Sequence, residues 1–198
     1  MQWADKGNPK PAMSSQAARR YFTVDEYHRM GEAGILREDD RVELIEGEII
    51  TMSPIGSHHA ACVKRLNEQL SRLLTGRALV GIQDPILLND SSEPQPDLTI
   101  LRRRDDFYAA AHPHATDVQL LIEVADTSIT YDREGKLPIY ARAGIPEVWI
   151  VNLSAEVVET YNEPLRGAYK NSHTFRRGES VTPLSFPDIA IPVANILG

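Results

Sequence analysis

The sequence predicts an α/β or α+β domain built around a central mixed β-sheet. Three observations support this fold class. Leucine and valine recur at helical spacing over residues 57–76, and the stretch VQLLIEVA over 118–125 is almost continuously apolar, which suits the middle of a mixed sheet. Between and around these stretches the chain follows the order helix, hairpin, helix, several strands, helix and strands.

The first elements are a short helix and a hairpin. Thr23 and Glu26 have the spacing of a capping box, and Gly34 suits the end of the helix. The following stretch RVELIEGEIITM has two β-rich halves joined around Glu46-Gly47 and predicts a hairpin. Residues 1–20 mix Gly, Pro, Ser and Gln, so we expect a flexible N-terminal arm and one domain over 21–198.

The middle of the chain predicts one long helix and several strands. The helix begins at Ser57 and ends near Gly76. Residues 78–89 predict a strand broken at Asp84-Pro85, and residues 96–103 predict a strand opened by proline. Residues 104–116 predict a weak helix followed by a loop.

The last elements are a helix and a series of strands. Residues 132–144 have a helical pattern, with Asp132 as a candidate N-cap and Gly144 as a stop. Pro138 lies inside this pattern, so we expect a kink or a delayed helix start. Two strands joined at Ser154-Ala155 follow, and the remainder is expected to form edge strand and tail.

Composition and charge exclude several classes of protein. The net charge is −7 and the pI is about 5.4, which argues against a protein that coats nucleic acid through a basic face. An enzyme that acts on DNA locally stays possible, because divalent cations invert the charge of an acidic site. No apolar run reaches the ~20 residues of a membrane span, so we expect a cytoplasmic protein with no membrane partner. The single cysteine, Cys62, excludes an internal disulfide and is expected to be a buried hydrophobe.

Four charged residues are candidates for chemistry, and two of them are carboxylates at strand ends. Asp97 follows Pro96 at the start of a strand, and Glu123 lies near the end of the next long strand. Adjacent strands could place these two carboxylates side by side, where both stay ionised only if a cation lies between them. Oxygen ligands favour Mg²⁺ or Mn²⁺, which can polarise a phosphodiester and lower the pKa of a bound water. The other two candidates are Glu43 and Lys136.

A purely structural interpretation of the same residues is equally compatible with their spacing. In that interpretation Asp97 caps a turn and Glu123 forms an ion pair with Lys136. The spacing alone leaves both interpretations open, because any acidic protein contains such pairs.

Five strings in order carry a resemblance to a known family. They are VELIEGEI, SPIGSHH, PQPDLTIL, LLIEVADTS and, after Lys136 and Tyr140, AGIPEVWIV. Together they resemble the Uma-type putative restriction endonuclease family, a branch of the PD-(D/E)XK nuclease superfamily. The resemblance covers about residues 21–190. It implies a restriction-endonuclease-like core, in which helices flank a central mixed sheet and the nuclease site lies at one edge.

The resemblance also implies roles for the four candidates. Asp97 matches the Asp of the "PD" pair, and Glu123 matches the acidic residue of the (D/E)XK element. The lysine position of that element is Ala125 here, and Lys136 stands where the family carries a lysine on the following helix. Glu43 matches an acidic residue of the N-terminal hairpin.

The implied cofactor is Mg²⁺ or Mn²⁺. Its expected ligands are Asp97, Glu123, the backbone carbonyl of Val124 and Glu43. Lys136 is then expected to position the attacking water or to stabilise the developing charge.

Further residues are candidates for accessory roles. His59 could bond a phosphate or the site carboxylates, or serve only at the helix start, and Gln83 could line the cleft. Ser128 could bond a carboxylate, and Tyr140 shares a helix face with Lys136, where it either packs or assists. The basic run of Arg102, Arg103 and Arg104 forms either a solvated face or a contact to DNA phosphates.

The expected function is therefore a magnesium-dependent endodeoxyribonuclease. Its expected partner is DNA, and a homodimer would let two sites address two strands. Two alternatives stay open: a catalytically silent nuclease-fold module that binds nucleic acid or protein, and a metal-dependent hydrolase of another phosphoester.

Overall fold

The computed structural model describes residues 19–37 and 39–198, so the predicted arm over 1–20 lies almost wholly outside the described residues. The chain contains one 3₁₀ turn, Ala115–Asp117, and one π-helical turn, Asp132–Lys136, within the described residues. The remaining elements are, in chain order, α1 (Val24–Glu32), β1 (Val42–Ile45), β2 (Glu48–Thr51), α2 (Ser57–Leu73), β3 (Ala78–Ile82), β4 (Leu98–Arg102), β5 (Val118–Ala125), α3 (Ile129–Tyr131), α4 (Leu137–Ala143), β6 (Glu147–Asn152), β7 (Val157–Leu165), β8 (Ala168–Arg176), β9 (Ser180–Val181), β10 (Ile191–Pro192) and α5 (Val193–Leu197).

A six-stranded sheet with the order β3-β4-β5-β6-β7-β8 forms the centre of the fold. β5 and β6 are parallel, and the other neighbouring strands are antiparallel. The sheet is therefore mixed and flanked by helices, which confirms the fold class predicted from the sequence.

The alternation of side chains along β5 divides the core into two layers. Leu120, Ile122 and Val124 pack in the cluster that contains the buried face of α2 and the C-terminal segment. Leu121 and Ala125 belong to the cluster that contains Tyr140 of α4. Because successive side chains of a strand point to opposite faces, Glu123 points to the same face as Leu121 and Ala125. Its carboxylate therefore lies in the layer that contains α4.

The hairpin of β1 and β2 closes through a tight turn at Glu46 and Gly47. Their φ angles of 49° and 82° are those of a type I′ turn, which matches the twist of a two-residue hairpin. The amide of Glu93 donates to the carbonyl of Leu44 over 2.8 Å. This bond attaches the hairpin to the segment that leads into β4, and so places Glu43 beside the start of that strand.

The connection from β5 to β6 is helical from Ile129 to Ala143, with the π turn in its middle. Leu137 donates its amide to the carbonyl of Asp132, five residues earlier. Pro138 has no amide hydrogen, and its ring excludes an ordinary α turn before it. The wider π turn accommodates the proline, and regular α geometry resumes at Leu137. The proline thus interrupts the helical connection rather than delaying its start, which lies at Ile129.

Three local predictions are wrong. Asp132 is no N-cap, because the helical connection already begins at Ile129. Residues 104–111 form turns with positive φ at Phe107 and Tyr108 in place of a helix, and Tyr108 instead donates its hydroxyl to the carbonyl of Arg102. The C-terminal tail contains α5, whose five residues are too few for a periodic sequence signal.

The buried position predicted for Cys62 is confirmed. Its side chain is inaccessible, and burial raises the pKa of the thiol to about 11. Across residues 19–37 and 39–198, none of the helices combines the length and the apolar character that a membrane crossing requires.

The close packing of the hairpin turn generates a testable prediction. An alanine Cβ at Gly47 would lie 2.6 Å from the Cβ of Tyr21, whereas a Cβ at Gly34 would meet nothing within 4 Å. Both glycines have positive φ, at 82° and 69°. We expect Gly34→Ala to lower the free energy of unfolding by about 1 kcal/mol through backbone strain alone, and Gly47→Ala by about 3 kcal/mol through strain and overpacking. Urea denaturation measures both values, and equal losses would show that Tyr21 does not constrain the turn.

Candidate active site

A cavity of about 560 Å³ opens between the hairpin, the start of β4, the end of β5 and the helical connection. Two permanently charged cations line it, Arg41 and Lys136. Five carboxylates also line it: Glu43, Asp97, Glu123, Asp126 and Asp132. The walls therefore carry more negative than positive charge.

Asp97 and Glu123 meet because the strands that carry them are paired. Leu98 is paired with Ile122 in the antiparallel register of β4 and β5, so the preceding residue, Asp97, lies opposite Glu123. The amide of Asp97 lies 3.4 Å from the Oε2 of Glu123. The register thus brings both predicted carboxylates to the same point at the end of the strand pair.

The carboxylate of Asp97 is oriented by contacts from three elements. Its Oδ2 accepts the Val124 amide at 2.9 Å and lies 2.9 Å from the Nε2 of His59, while its Oδ1 accepts the side-chain amide of Gln83 at 3.2 Å. The hydrogen bond to Asp97 raises the pKa of His59, although burial opposes the shift. Asp97 therefore binds across the sheet rather than capping its own turn.

Lys136 lies between two carboxylates at the floor of the cavity. Its Nζ is 3.0 Å from Glu43 Oε2 and 3.3 Å from Glu123 Oε1, and these three side chains are almost fully buried. The hydroxyl of Tyr140 donates to the same Glu123 Oε1 over 2.6 Å. The ion pair of the structural interpretation is thus present, but it is one part of a larger cluster.

Glu43 reaches the cluster from the hairpin. Its Oε2 also accepts the amide of Gln95, two residues before Asp97, over 3.2 Å. Because Gln95 lies in the segment leading into β4, this bond joins the hairpin to the strand pair at the site itself.

Burial and the excess of carboxylates over cations shift the pKa values of the groups in this cluster. Burial raises the pKa of Glu123 to about 8, against the lowering effect of Lys136, and the nearby Asp132 and Asp97 add to the rise. Burial also raises the pKa of Asp132. Burial lowers the pKa of Lys136, but Glu123 and Glu43 outweigh it and the net shift is upward. The lysine therefore stays charged near neutral pH, while burial and crowding favour the protonated form of the carboxylates around it.

The sequence interpretation missed residues on the cavity wall. Asp132, which the sequence pattern suggests as an N-cap, is instead buried at the site and accepts a hydrogen bond from the hydroxyl of Ser128 over 2.6 Å. Its position four residues before Lys136 is the signal that could have found it, since such residues share one face of an α-helix. Arg41 and Tyr131 also line the cavity, and no sequence pattern distinguished them from ordinary surface residues.

The predicted basic run lies elsewhere. Arg102 ends β4, five residues after Asp97, which corresponds to ~17 Å along an extended strand. Arg102 donates to the carbonyl of Thr116, and Arg104 pairs with Asp106. The structure thus does not bring Arg102, Arg103 and Arg104 into the cavity, and contact of this run with DNA stays a prediction.

The donor set of the cavity fits a hard divalent cation. Within the described ranges, no three His, Cys, Asp or Glu side chains are already arranged as metal ligands. Mg²⁺, however, needs only one or two carboxylates and retains several waters. Asp97 and Glu123 lie opposite each other in the paired strands and supply two carboxylates. Burial raises the pKa of Glu123, and the charges of Asp132 and Asp97 add to the rise, which is a repulsion that a cation relieves.

Comparisons with known proteins agree with this architecture. The model of the family Uma2, described as "Putative restriction endonuclease", matches residues 24–194. This chain belongs to the Uma2 family. The family expected from the five sequence strings is thereby confirmed, and membership supports a nuclease.

A solved structure shares the fold. It is described as "a putative nuclease belonging to DUF820 from Anabaena variabilis ATCC 29413" and superimposes with a TM-score of 0.73. The sequence identity is 17%, and the match covers 89% of this chain and 97% of that chain. At this identity the likeness shows the fold alone. No curated protein is similar enough in sequence to match this chain.

The raised pKa of Glu123 predicts a pH dependence of stability in metal-free buffer. Its pKa is about 8 in the folded protein against 4.5 as the ordinary value, so the folded state binds more protons between these limits. Stability from this group is therefore present below pH ~4.5 and is lost as the pH rises towards ~8. We expect the free energy of unfolding of Glu123→Gln to fall less than that of the wild type between pH 5 and pH 8 in urea titrations. His59 contributes in the same direction in both proteins, so the difference isolates Glu123. Parallel pH profiles for the two proteins would contradict the shift.

Proposed function

We propose that this protein is a Mg²⁺- or Mn²⁺-dependent endonuclease that hydrolyses phosphodiester bonds of DNA. The observation that carries the proposal is the meeting of Asp97 and Glu123 across paired strands, with Lys136 beside Glu123, at the floor of an open cavity. Membership of the Uma2 family supports the nuclease class.

Four groups are proposed to hold the metal: the carboxylates of Asp97, Glu123 and Glu43 and the backbone carbonyl of Val124. Mg²⁺ held by these groups would polarise the phosphodiester and supply a water of lowered pKa. Oxygen ligands of this kind favour hard cations over softer metals.

The remaining side chains act through charge and orientation. Gln83, His59 and the Val124 amide hold the Asp97 carboxylate in one position, and Tyr140 does the same for Glu123. Catalysis requires that the groups around the reacting atoms are held in a fixed orientation. Lys136 keeps a positive charge beside these carboxylates, where it stabilises the negative charge that develops on the phosphate as water adds to phosphorus and the ester oxygen leaves.

DNA as substrate and a homodimer are parts of the same proposal. One cavity addresses one strand at a time, so a pair of chains would address both strands of a duplex. Sedimentation velocity of the purified protein measures whether the pair forms.

Plasmid nicking tests the proposed function. We expect supercoiled plasmid to be relaxed in Mg²⁺ or Mn²⁺ but not in EDTA. Asp97→Asn, Glu123→Gln and Lys136→Met should each lower the rate at least about 100-fold, because each removes a charge at the reacting phosphate or its metal. Glu46→Gln is the matched control, since Glu46 lies in the same hairpin as Glu43 but is exposed and paired with Arg142. Thermal melting verifies that every variant is folded.

A second measurement separates the nuclease from its alternatives. Calorimetry should detect Mn²⁺ binding to the wild type and weaker binding to Asp97→Asn, independently of any substrate. A folded wild type that binds neither metal and cleaves nothing would contradict the proposal and leave a nucleic-acid or protein binding module. Metal binding with hydrolysis of other phosphoesters but not of DNA would instead assign a different phosphoesterase.

A further inference from the structure

The wall of the active-site cavity contains an aromatic side chain with no assigned role. Tyr131 ends α3, lines the cavity and is 37% exposed. Ile55, on the loop after β2, lines the same cavity and is 41% exposed. These two apolar side chains lie on different elements of the cavity wall, one on the hairpin side and one on the helical side.

The ring of Tyr131 is held in position without using its hydroxyl. An added Cβ at Gly135 would lie 3.0 Å from both Cδ2 and Cε2 of the ring, so the ring packs directly against the backbone of the π turn. The Nζ of Lys136 lies 6.0 Å from the ring centroid. Among residues 19–37 and 39–198, none forms a hydrogen bond with the Tyr131 hydroxyl. The ring is therefore positioned by packing, and its exposed aromatic surface is available to a ligand.

The charges around the cavity do not suit a long DNA backbone. Of the two permanent cations on its wall, Lys136 is already bound to Glu43 and Glu123. Arg41 remains, and its guanidinium contacts the carbonyl of Ser53 at 3.5 Å. A duplex bound mainly through its phosphates needs several cations, whereas an unpaired strand also gains affinity by stacking its bases on aromatic rings.

The depth of the reacting groups points in the same direction. Glu43, Glu123, Asp132 and Lys136 are each at most 6% exposed and lie below the cavity mouth. A phosphodiester must enter the cavity to reach them. The phosphate of a duplex can approach the cavity from outside, but its base reaches the cavity wall only after the nucleotide is extracted at an energetic cost, whereas an unpaired nucleotide can present both.

We propose that the cavity binds an unpaired nucleotide of single-stranded DNA, with its base against Tyr131 and Ile55 and its phosphate near Arg41. This inference rests on the proposed nuclease function and specifies its preferred substrate. Duplex plasmid is then cleaved more slowly than single strand, because a nucleotide must first leave the duplex. It assigns Tyr131 as a positioning residue for the nucleotide next to the scissile phosphate.

Binding and cleavage of matched oligonucleotides test the proposal. The probes are a fluorescein-labelled single strand of about twelve nucleotides, which suits a short single-strand site, and the duplex of the same sequence. Fluorescence anisotropy with Ca²⁺ measures affinity, and gel analysis with Mn²⁺ measures kcat and KM. We expect the single strand to bind about tenfold more tightly than the duplex, with a shallow dependence on salt because few phosphates are neutralised.

Variants of Tyr131 identify the contact. Tyr131→Ala should weaken single-strand binding about tenfold and raise KM more than it lowers kcat, whereas Tyr131→Phe should retain wild-type affinity because the proposed stacking uses the ring. Phe107→Ala is the matched control, since Phe107 is 64% exposed in the turns after β4 and does not line the cavity. A Tyr131→Phe variant as weak as Tyr131→Ala would overturn the stacking role.

The outcomes separate this inference from the proposed function. Metal-dependent cleavage of single strand and duplex at equal rates, or an unchanged affinity in Tyr131→Ala, would overturn the inference and leave the nuclease assignment intact. If the folded wild type cleaves neither probe, does not nick plasmid and does not bind Mn²⁺, both the inference and the proposed nuclease function are overturned.

Discussion

The ammonium of Lys136, held between Glu43 and Glu123, is the interaction on which the rest of the site depends. It joins the hairpin, the central strand β5 and the helical connection at one buried point. A buried charge without partners is strongly destabilising, and removal of one partner from such a cluster leaves the others uncompensated. The three elements are therefore energetically coupled, and a shift of any of them alters the charge balance of the site. The same coupling keeps the lysine charged while the carboxylates around it compete for protons and cations.

The π turn that carries Lys136 is fixed from its other side as well. Arg133, in the same turn, forms a bidentate ion pair with Glu159 on β7, and Glu159 also accepts the hydroxyl of Tyr161. A residue on the outer part of the sheet thus anchors the turn whose inner part faces the cavity. Pro138 sets where the turn ends, because regular α geometry resumes at Leu137. The proline that disturbs the helical pattern in the sequence is accommodated by the irregular turn that presents the lysine.

Much of the fold was predictable because its signals are local. The capping box of Thr23 and Glu26 and the I′ turn at Glu46-Gly47 each depend on a few neighbouring residues. The pairing of Asp97 with Glu123 depends on the register of two strands, which the sequence suggested through their order but did not determine. The role of Asp132 was hard to predict, because a carboxylate at a predicted helix start usually caps it. Its spacing from Lys136 was the one available signal, and the earlier start of the helix at Ile129 is what places Asp132 inside the helical connection. Arg41 and Tyr131 joined the cavity through tertiary packing, which leaves no local pattern.

The parallel pairing of β5 with β6 has a consequence for the order in which the site forms during synthesis. Every residue proposed to react precedes Gly144 in the chain, yet Glu123 is carried by a strand that pairs with Ile150 and its neighbours. The anchor of the π turn, Glu159, comes later still. A nascent chain that has just released Tyr140 from the ribosome therefore contains all the reacting groups but neither the strand nor the ion pair that hold them. The site therefore becomes complete only after later segments of the chain have been synthesised and have folded, although those segments contribute no atom to the chemistry.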